Sequence, residues 1–412
     1  METLTMLNWN RRPLAALPVV WMLWGCAADD STHAEPTARE NVEGADRLET
    51  LRAAAAPAAT EDAWAANYLR GLVVERAWVS GRDLLLEAFN PASRQFEMQS
   101  VDARTGVPNW VTSIGPNRLR VEPMPGDKYV AVLTEVDGGM TVLDRRTGAR
   151  ATHIRVQLDL STTEPAASSE STVFVSSLGT NRIAALNPVD GRVGWAFPAP
   201  TLITAGPVLT PRLPRRLAVA ACLDGTVVAV PAAAWNDPAP EAPAWTRKLL
   251  GAVSGEITTV ESAEAGRVTT RILVPCEDRG LYCLDGATGR PEWVYRTESP
   301  FTGKAVALNG VVFARNADRM VAVKLADGMP AWPSSDPAAK PSHPWEAAAE
   351  ALALDGTRGY LRAGDGRIHR VDAKDGRILE TARLSRFDMV LGGGPNNLLI
   401  GLTRDGYAVA FK

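Results

Sequence analysis

The stretch "LYCLDGATGRPEW", Leu281–Trp293, contains an apolar run, a polar turn with two glycines, and a tryptophan. Related stretches end at Trp110, Trp195 and Trp332: "SVDARTGVPNW", "AALNPVDGRVGW" and "VAVKLADGMPAW". A short apolar run predicts a β-strand, and Asp and Gly together predict a tight turn. Because the whole unit returns along the chain, it predicts a repeat architecture.

The repeat can be followed by the last apolar residue before each turn, which we call the anchor. Successive anchors are separated by about 40–55 residues, and they are Val101, Leu143, Leu186, Val230, Leu284, Val323, Val371 and Phe411. Most anchors are followed five residues later by a glycine, namely Gly106, Gly148, Gly191, Gly289, Gly328 and Gly376. The tryptophans that begin the next strand are Trp110, Trp195, Trp245, Trp293 and Trp332.

Each unit also contains strand patterns upstream of its anchor. In the unit that ends at Trp245, Ile203–Leu209 reads as one strand. Arg216–Pro231 reads as two strands joined by a hairpin at Asp224-Gly225, and a fourth strand starts near Trp245. Four short strands per repeat predict an all-β fold, an eight-bladed β-propeller of four-stranded antiparallel blades. Seven blades are the alternative, because the unit at Val230 lacks the glycine and has a longer turn.

The recurring tryptophan has a structural interpretation in such a fold. Its large ring covers the seam between neighbouring blades, and it recurs because every blade has the same seam. The sequence stops soon after Phe411, so the last blade lacks an outer strand. We expect a segment near Asn67–Val74 to supply that strand and to close the ring, which leaves no sheet edge exposed.

The N-terminal region predicts export and anchoring. Arg11 and Arg12 precede an apolar run, Leu14–Trp24, that is shorter than the about 20 residues of a membrane span. The run ends in "LWGC", which resembles the lipobox of bacterial lipoproteins, with Trp24 departing from the usual residue at its position. This resemblance implies a signal peptide over residues 1–25 and lipidation of Cys26; the alternative is an ordinary signal peptide with an incidental cysteine.

The remaining chain divides into a tether and a folded domain. Residues 26–62 are rich in Ala, Glu, Asp, Thr and Pro, which predicts a flexible tether, and residues 63–412 form the predicted propeller. The formal net charge of −3 includes no basic excess, so we expect no nucleic-acid partner.

Cysteine and histidine usage predicts no metal site. Cys276 and Cys283 flank a predicted hairpin, so a disulfide between them is one alternative. The other, which we favour, is that they and Cys222 are small buried residues in strands. No CxxC motif and no histidine pair with ligand spacing is present in the sequence. We predict no catalytic residue, no cofactor and no metal.

The pattern of an apolar strand followed by D-x-x-T-G-x-x-x-W resembles the repeat of the pyrroloquinoline-quinone-like (PQQ-like) propeller family, from about Leu72 to Lys412. "VDARTGVPNW" and "LDGATGRPEW" are the closest matches.

The resemblance implies one of two functional types. Quinone-dependent dehydrogenases of this family hold the quinone against a pair of adjacent cysteines, and this sequence has no adjacent cysteines. Its turn carboxylates (Asp102, Asp144, Asp190, Asp285, Asp327 and Asp372) stand at equivalent repeat positions, which is typical of structural residues.

The second type is the lipoprotein propeller typified by BamB of the outer-membrane β-barrel assembly machinery. The order of lipid anchor, tether and propeller matches that plan. It implies a non-enzymatic, monomeric scaffold on the periplasmic side of the outer membrane, with an envelope protein as partner, such as a barrel-assembly protein. The alternatives are a propeller that binds a small ligand or polysaccharide in its central pore, and a relative of the PQQ-dependent dehydrogenases. Ser334–Leu352, an insertion rich in Pro and Ala, is a candidate partner surface.

Overall fold

A computed structural model of the protein describes most of the chain from Trp64 to Phe411. The described ranges are 64–67, 71–80, 82–119, 123–125, 129–133, 139–155, 172–177, 180–210, 215–264, 267–308, 310–317, 319–332, 348–355, 358–372, 374–383, 387–393 and 398–411. Within them, no helix is long and apolar enough to cross a membrane. The predicted signal peptide, Cys26 and the tether lie outside the described residues and stay predictions.

The described residues form eight antiparallel sheets, six with four strands and two with three. We number the sheets along the chain and interpret each as one blade. The strands of sheets 1 to 4 are β2 (Val73–Ser80), β3 (Asp83–Asn90), β4 (Gln95–Asp102) and β5 (Pro108–Gly115); β6 (Met124–Pro125), β7 (Tyr129–Leu133), β8 (Gly139–Asp144) and β9 (Arg150–Arg155); β10 (Val173–Ser177), β11 (Arg182–Leu186) and β12 (Val193–Pro198); and β13 (Ile203–Leu209), β14 (Leu217–Cys222), β15 (Thr226–Pro231) and β16 (Trp245–Lys248).

Sheets 5 to 8 continue the same plan. Their strands are β17 (Thr258–Glu264), β18 (Arg267–Pro275), β19 (Gly280–Asp285) and β20 (Pro291–Arg296); β21 (Phe301–Leu308), β22 (Val311–Asn316) and β23 (Met320–Lys324); β24 (Ala348–Asp355), β25 (Arg358–Ala363), β26 (Arg367–Asp372) and β27 (Ile378–Arg383); and β28 (Met389–Gly393), β29 (Leu398–Leu402) and β30 (Tyr407–Phe411) with the N-terminal β1 (Ala65–Asn67).

The repeat was placed correctly on these strands. In the complete sheets each anchor lies near the end of the third strand, as Val101 does in β4 and Leu284 in β19. In sheet 4, the first strand has the predicted bounds, Ile203–Leu209, and the outer strand begins at Trp245. In sheet 6, an isolated bridge from Val323 to Pro330 stands where a fourth strand would begin.

The core lies between neighbouring sheets, because alternate residues of one strand face different neighbours. In β19, Leu281 and Cys283 pack with Val321 of sheet 6. Tyr282 and Leu284 of the same strand pack in the cluster shared with sheet 4. Each sheet is therefore buried on both faces, and this is why the strands read as continuous apolar runs without an apolar–polar alternation.

The ring closes between sheets 8 and 1. The first strands of these sheets, β28 and β2, are in contact, and β1 pairs with β30 in the register Ala65↔Val409 and Asn67↔Tyr407. An N-terminal strand therefore completes the last sheet, as predicted, but the predicted segment, Asn67–Val74, was wrong. The pairing strand ends at Asn67, and Val73 already starts the first strand of sheet 1, because a turn with Gly71 at φ 83° separates the two.

Candidate interaction surface

The tryptophans of the repeat lie in the seams, where each contacts the turn of the next sheet. The indole Nε1 of Trp110 donates a hydrogen bond to Arg145 O at 2.8 Å, and that of Trp293 donates to Leu325 O at 2.8 Å. Trp195 and Trp245 make the same bond, to Ala234 O and Gly286 O, both at 3.1 Å. Trp332 is also buried and lies against Gly376 of the next sheet.

The six glycines of the repeat hold these turns. They are Gly106, Gly148, Gly191, Gly289, Gly328 and Gly376, all with φ between 64° and 72°. A Cβ on Gly148 would lie 2.5 Å from the Trp110 ring, and one on Gly328 would lie 2.6 Å from the Trp293 ring. Both the left-handed backbone and the close approach of the indole therefore exclude a side chain. Four tryptophans of the repeat thus meet a glycine of the next sheet, in the pairs Trp110–Gly148, Trp245–Gly289, Trp293–Gly328 and Trp332–Gly376.

The turn carboxylates do not all occupy one position. Asp102, like Asp144, Asp285 and Asp372, follows its anchor directly, and its Oδ1 accepts hydrogen bonds from the backbone N–H of Arg104 and Thr105, both at 2.9 Å. Asp190 and Asp327 come just before the glycine and accept from Arg192 N and Met329 N. The expectation of equivalent positions was wrong for these two, although all six lie in the turns. Backbone and Thr147 hydrogen bonds outweigh burial at Asp144, so its pKa is lowered.

Trp64 is a seam residue that the sequence reasoning missed. It is buried, its Nε1 donates to Ala103 O of sheet 1 at 2.9 Å, and its own carbonyl accepts from Ala410 N at 2.9 Å. Trp64 therefore occupies in sheet 8 the position of the other tryptophans. The repeat pattern does not reveal Trp64, because the strand that precedes the other tryptophans in the sequence is, for Trp64, β30 at the opposite end of the chain.

The unit at Val230, which lacks the repeat glycine and has a longer turn, has a structural explanation. Its long turn lies over sheet 3: Trp235 N donates to Thr172 Oγ1 at 3.1 Å, and the Arg192 guanidinium lies 5.0 Å from the centre of the Trp235 ring. Ala234 in the same turn accepts the Trp195 bond. The turn thus keeps the seam contact with a different sequence.

The three described cysteines are free and lie in three different seams. Cys222 packs between sheets 3 and 4, Cys276 between sheets 4 and 5, and Cys283 between sheets 5 and 6. The alternative of a Cys276–Cys283 disulfide was therefore wrong, because the two thiols project from opposite faces of sheet 5. Burial raises the pKa of Cys276 to about 11, and burial also raises the pKa values of Cys222 and Cys283.

The seam turns occupy one end of the sheets, and an apolar patch occupies the other end. In an antiparallel sheet of this order, the start of strand one, the turn between strands two and three, and the end of strand four share one end. Leu202, Leu223 and Leu250 lie at these three places in and after sheet 4, and they are 37%, 52% and 79% exposed. We call these three residues the leucine patch.

Backbone hydrogen bonds hold the leucine patch together. Leu223 N donates to Leu202 O at 2.8 Å, and Leu249 N donates to Gly225 O at 2.9 Å. The next turn packs directly against this patch, since a Cβ on Gly251 would lie 2.7 Å from Asp278 N. Exposed leucines on rigid, adjoining loops are the kind of feature that marks a protein-interaction site.

Paired charges surround the patch. Lys248 Nζ lies 2.6 Å from Asp224 Oδ2, and hydrogen bonds from Lys248 and Thr226 outweigh the effect of burial, so that the pKa of Asp224 is lowered. In sheet 5, Arg296 Nη1 lies 3.5 Å from Asp278 Oδ2. Tyr282 donates its hydroxyl hydrogen bond to Asp278, and burial together with this bond raises its pKa to about 12. The charges within these two pairs beside the leucine patch are therefore neutralised.

Arginines occupy a strained position in two turns at this end of the sheets. Gly225, Gly366 and Gly406 fill the left-handed position of the turn between strands two and three, with φ from 80° to 91°. In sheet 5 the corresponding residue is Arg279 at φ 70°, and in sheet 1 it is Arg94 at φ 55°. A left-handed backbone costs a residue with a Cβ about 1 kcal/mol.

Among the described residues, no group of three or more His, Cys, Asp or Glu side chains could hold a metal ion. Most of Ser334–Leu352, residues 334–347, lies outside the described part of the chain, so its role as a partner surface stays a prediction.

Comparison with known proteins agrees with this architecture. The family described as outer membrane protein assembly factor BamB matches residues 224–388, less than half of the chain. The crystal structure of BamB from Moraxella catarrhalis superposes with a TM-score of 0.58 at 18% identity, covering 81% of this chain and 95% of that one. The chain therefore has a β-propeller fold similar to that of BamB, and its residues 224–388 match the BamB family.

This propeller also resembles proteins of other kinds. Quinohemoprotein alcohol dehydrogenase from Comamonas testosteroni gives a TM-score of 0.56 at 12% identity, covering 88% of this chain and 78% of that one. The designed protein Ika8 gives 0.57 at 15% identity, covering 83% and 97%. Likenesses at such identities establish the fold and leave the function open. No curated protein matches the chain significantly.

Proposed function

We propose that this protein is a non-catalytic scaffold of the bacterial envelope that binds a protein of outer-membrane assembly through the leucine patch. The observation that carries the proposal is the exposure of Leu202, Leu223 and Leu250 on loops that backbone hydrogen bonds fix in place. Leaving apolar side chains in water is unfavourable, and an interface would bury them. The match to the BamB family supports outer-membrane assembly as the process.

The position of Trp64, where the described part of the chain begins, supports the same function. Trp64 starts the outer strand of sheet 8 at the end that carries the seam turns, which is opposite the end with the leucine patch. A tether from Cys26 would join the propeller at that opposite end. An anchored molecule would therefore hold its leucine patch clear of its own tether, on the periplasmic side of the outer membrane.

The test is an affinity pull-down of the native, membrane-anchored protein, in which bound proteins and small molecules are both identified by mass spectrometry. Leu250→Asp should lower recovery of the partner at least tenfold, because it places a charge at the centre of the interface. Met329→Asp is the matched control, because Met329 is 59% exposed but lies at a seam turn. Equal recovery with all three proteins would contradict the proposed interaction site.

A PQQ-dependent dehydrogenase relative is the second candidate, and the likeness to the Comamonas enzyme is the observation that favours it. The same pull-down tests it. Recovery of a quinone together with calcium, and of no protein partner, would reject the scaffold and favour the enzyme. Binding of a small ligand or polysaccharide in the central pore stays a prediction.

A further inference from the structure

We propose that Arg279 extends the leucine patch and receives a carboxylate of the partner protein, so that the partner's surface is apolar with an adjoining acidic group. This inference rests on the proposed function and names the chemistry of its partner. Two loops lie side by side here: Leu250 precedes Gly251, Gly251 packs against Asp278 of the next sheet, and Arg279 follows Asp278. Arg279 is therefore an exposed side chain in the loop that packs against the loop of Leu250.

The backbone of Arg279 is the first argument. Three other sheets place glycine at this left-handed position, whereas sheets 1, 3 and 5 place Arg94, Asn181 and Arg279 there. Its carbonyl accepts a hydrogen bond from Thr297 N at 3.0 Å, which holds the strained turn in place. A strained residue that the fold does not need is a sign of function. The packing of sheet 5 does not need this side chain, because it is exposed.

Charge is the second argument. The neighbouring cations, Lys248 and Arg296, are neutralised by Asp224 and Asp278. Within the described part of the chain, the guanidinium of Arg279 has no ion pair, which leaves its five N–H donors free for an incoming carboxylate.

The acidic group belongs to a protein rather than to an anionic lipid. Glu277 and Glu298 are exposed at the same end of sheet 5, next to Arg279. A membrane would bring several phosphates against these two carboxylates at once, whereas a protein can present one carboxylate to Arg279 and uncharged or basic groups to Glu277 and Glu298. The surface therefore fits a shaped protein partner better than a membrane.

Arg279→Gly is the decisive variant, because it should separate binding from stability. Glycine relieves the left-handed strain, so Tm should hold or rise by about 1 °C. The probe is the envelope protein that the wild-type chain retains in the pull-down, with its affinity measured across a series of salt concentrations. Arg279→Gly should weaken binding about tenfold at low salt and flatten the salt dependence.

Arg94→Gly is the matched control, since it relieves the same strain in sheet 1 at the same end of the sheets, away from the leucine patch. It should leave affinity unchanged. If Arg279→Gly binds like the wild type while Leu250→Asp does not, the role of Arg279 is wrong and the scaffold stands. If Leu250→Asp also binds like the wild type, both proposals fail. Binding to phosphatidylglycerol vesicles that depends on Arg279, without capture of a protein, would overturn the carboxylate partner in favour of lipid.

Discussion

The indole of Trp64 lies so close over Gly106 that a Cβ on this glycine would overlap the ring. The two residues come from opposite sides of the ring closure, since Trp64 begins the outer strand of sheet 8 and Gly106 lies in a turn of sheet 1. The same contact joins Trp110 to Gly148 and Trp293 to Gly328 between consecutive sheets. The ring is therefore closed by the same tryptophan–glycine contact that joins four other pairs of neighbouring sheets.

Closure should depend on Trp64 more than on the chain before it. Trp64→Ala removes a buried indole and its hydrogen bond, and we expect it to lower the free energy of unfolding by about 3–5 kcal/mol. Removal of residues 1–63 should leave Tm within a few degrees, because Trp64 and β1 are kept. Thermal unfolding of both proteins checks this. Equal Tm values for Trp64→Ala and the wild type would mean that β1 does not close the ring.

A seam glycine should tolerate alanine much less than a glycine in open space. Gly328→Ala would combine a left-handed backbone with a collision against Trp293, and should destabilise by about 2–4 kcal/mol. Gly310 has φ 78°, and no atom lies within 4 Å of an added Cβ. Gly310→Ala should therefore lower the free energy of unfolding by about 1 kcal/mol, through backbone strain alone. Urea unfolding measures both. The prediction fails if the two variants lose the same amount.

The buried thiols should be unreactive in the folded protein. Burial raises the pKa of Cys276 to about 11 and the pKa values of Cys222 and Cys283 as well, so little thiolate forms at neutral pH. Iodoacetamide labelling followed by peptide mass spectrometry should modify these three residues only after unfolding. A reducing agent should not change Tm, since no disulfide joins Cys276 to Cys283. Labelling of native Cys283 would contradict the packing of the seam between sheets 5 and 6.

Sheet 7 should contribute a pH dependence through His369. Burial, and then the charge of Arg367, lower the pKa of this histidine below 6.5, against a smaller opposing effect of Asp365. The unfolded chain therefore takes up the proton first, so stability is complete above about pH 6.5 and falls as the pH drops below it. His369 Nδ1 lies 3.0 Å from Thr381 Oγ1, a hydrogen bond that glutamine can replace.

Between pH 7 and pH 5, the free energy of unfolding of His369→Gln is therefore expected to fall less than that of the wild type. Urea unfolding at a series of pH values measures the difference. Parallel curves for the two proteins would show that another group causes any loss in this range. The pKa values of Asp224 and Asp144 are lowered in the folded protein. Their contribution to stability is therefore lost only at pH values more acidic than this range.

The sequence alone determined the repeat, the strands and the turns, because these depend on residues close together in the chain. The apolar run before "DGATG", the positive φ that only glycine takes easily, and the strand that follows are local properties, and the structure has them where the pattern predicted them.

Tertiary structure decided which residues meet across the seams and at the surface. Trp64 finds its partner turn only when the ring closes. Leu202, Leu223 and Leu250 become one patch only because antiparallel strands bring three separate loops to one end of the sheets. In the sequence, nothing distinguishes Arg279 from other surface arginines. Only the structure shows that its backbone is left-handed, at a position where three other sheets have glycine.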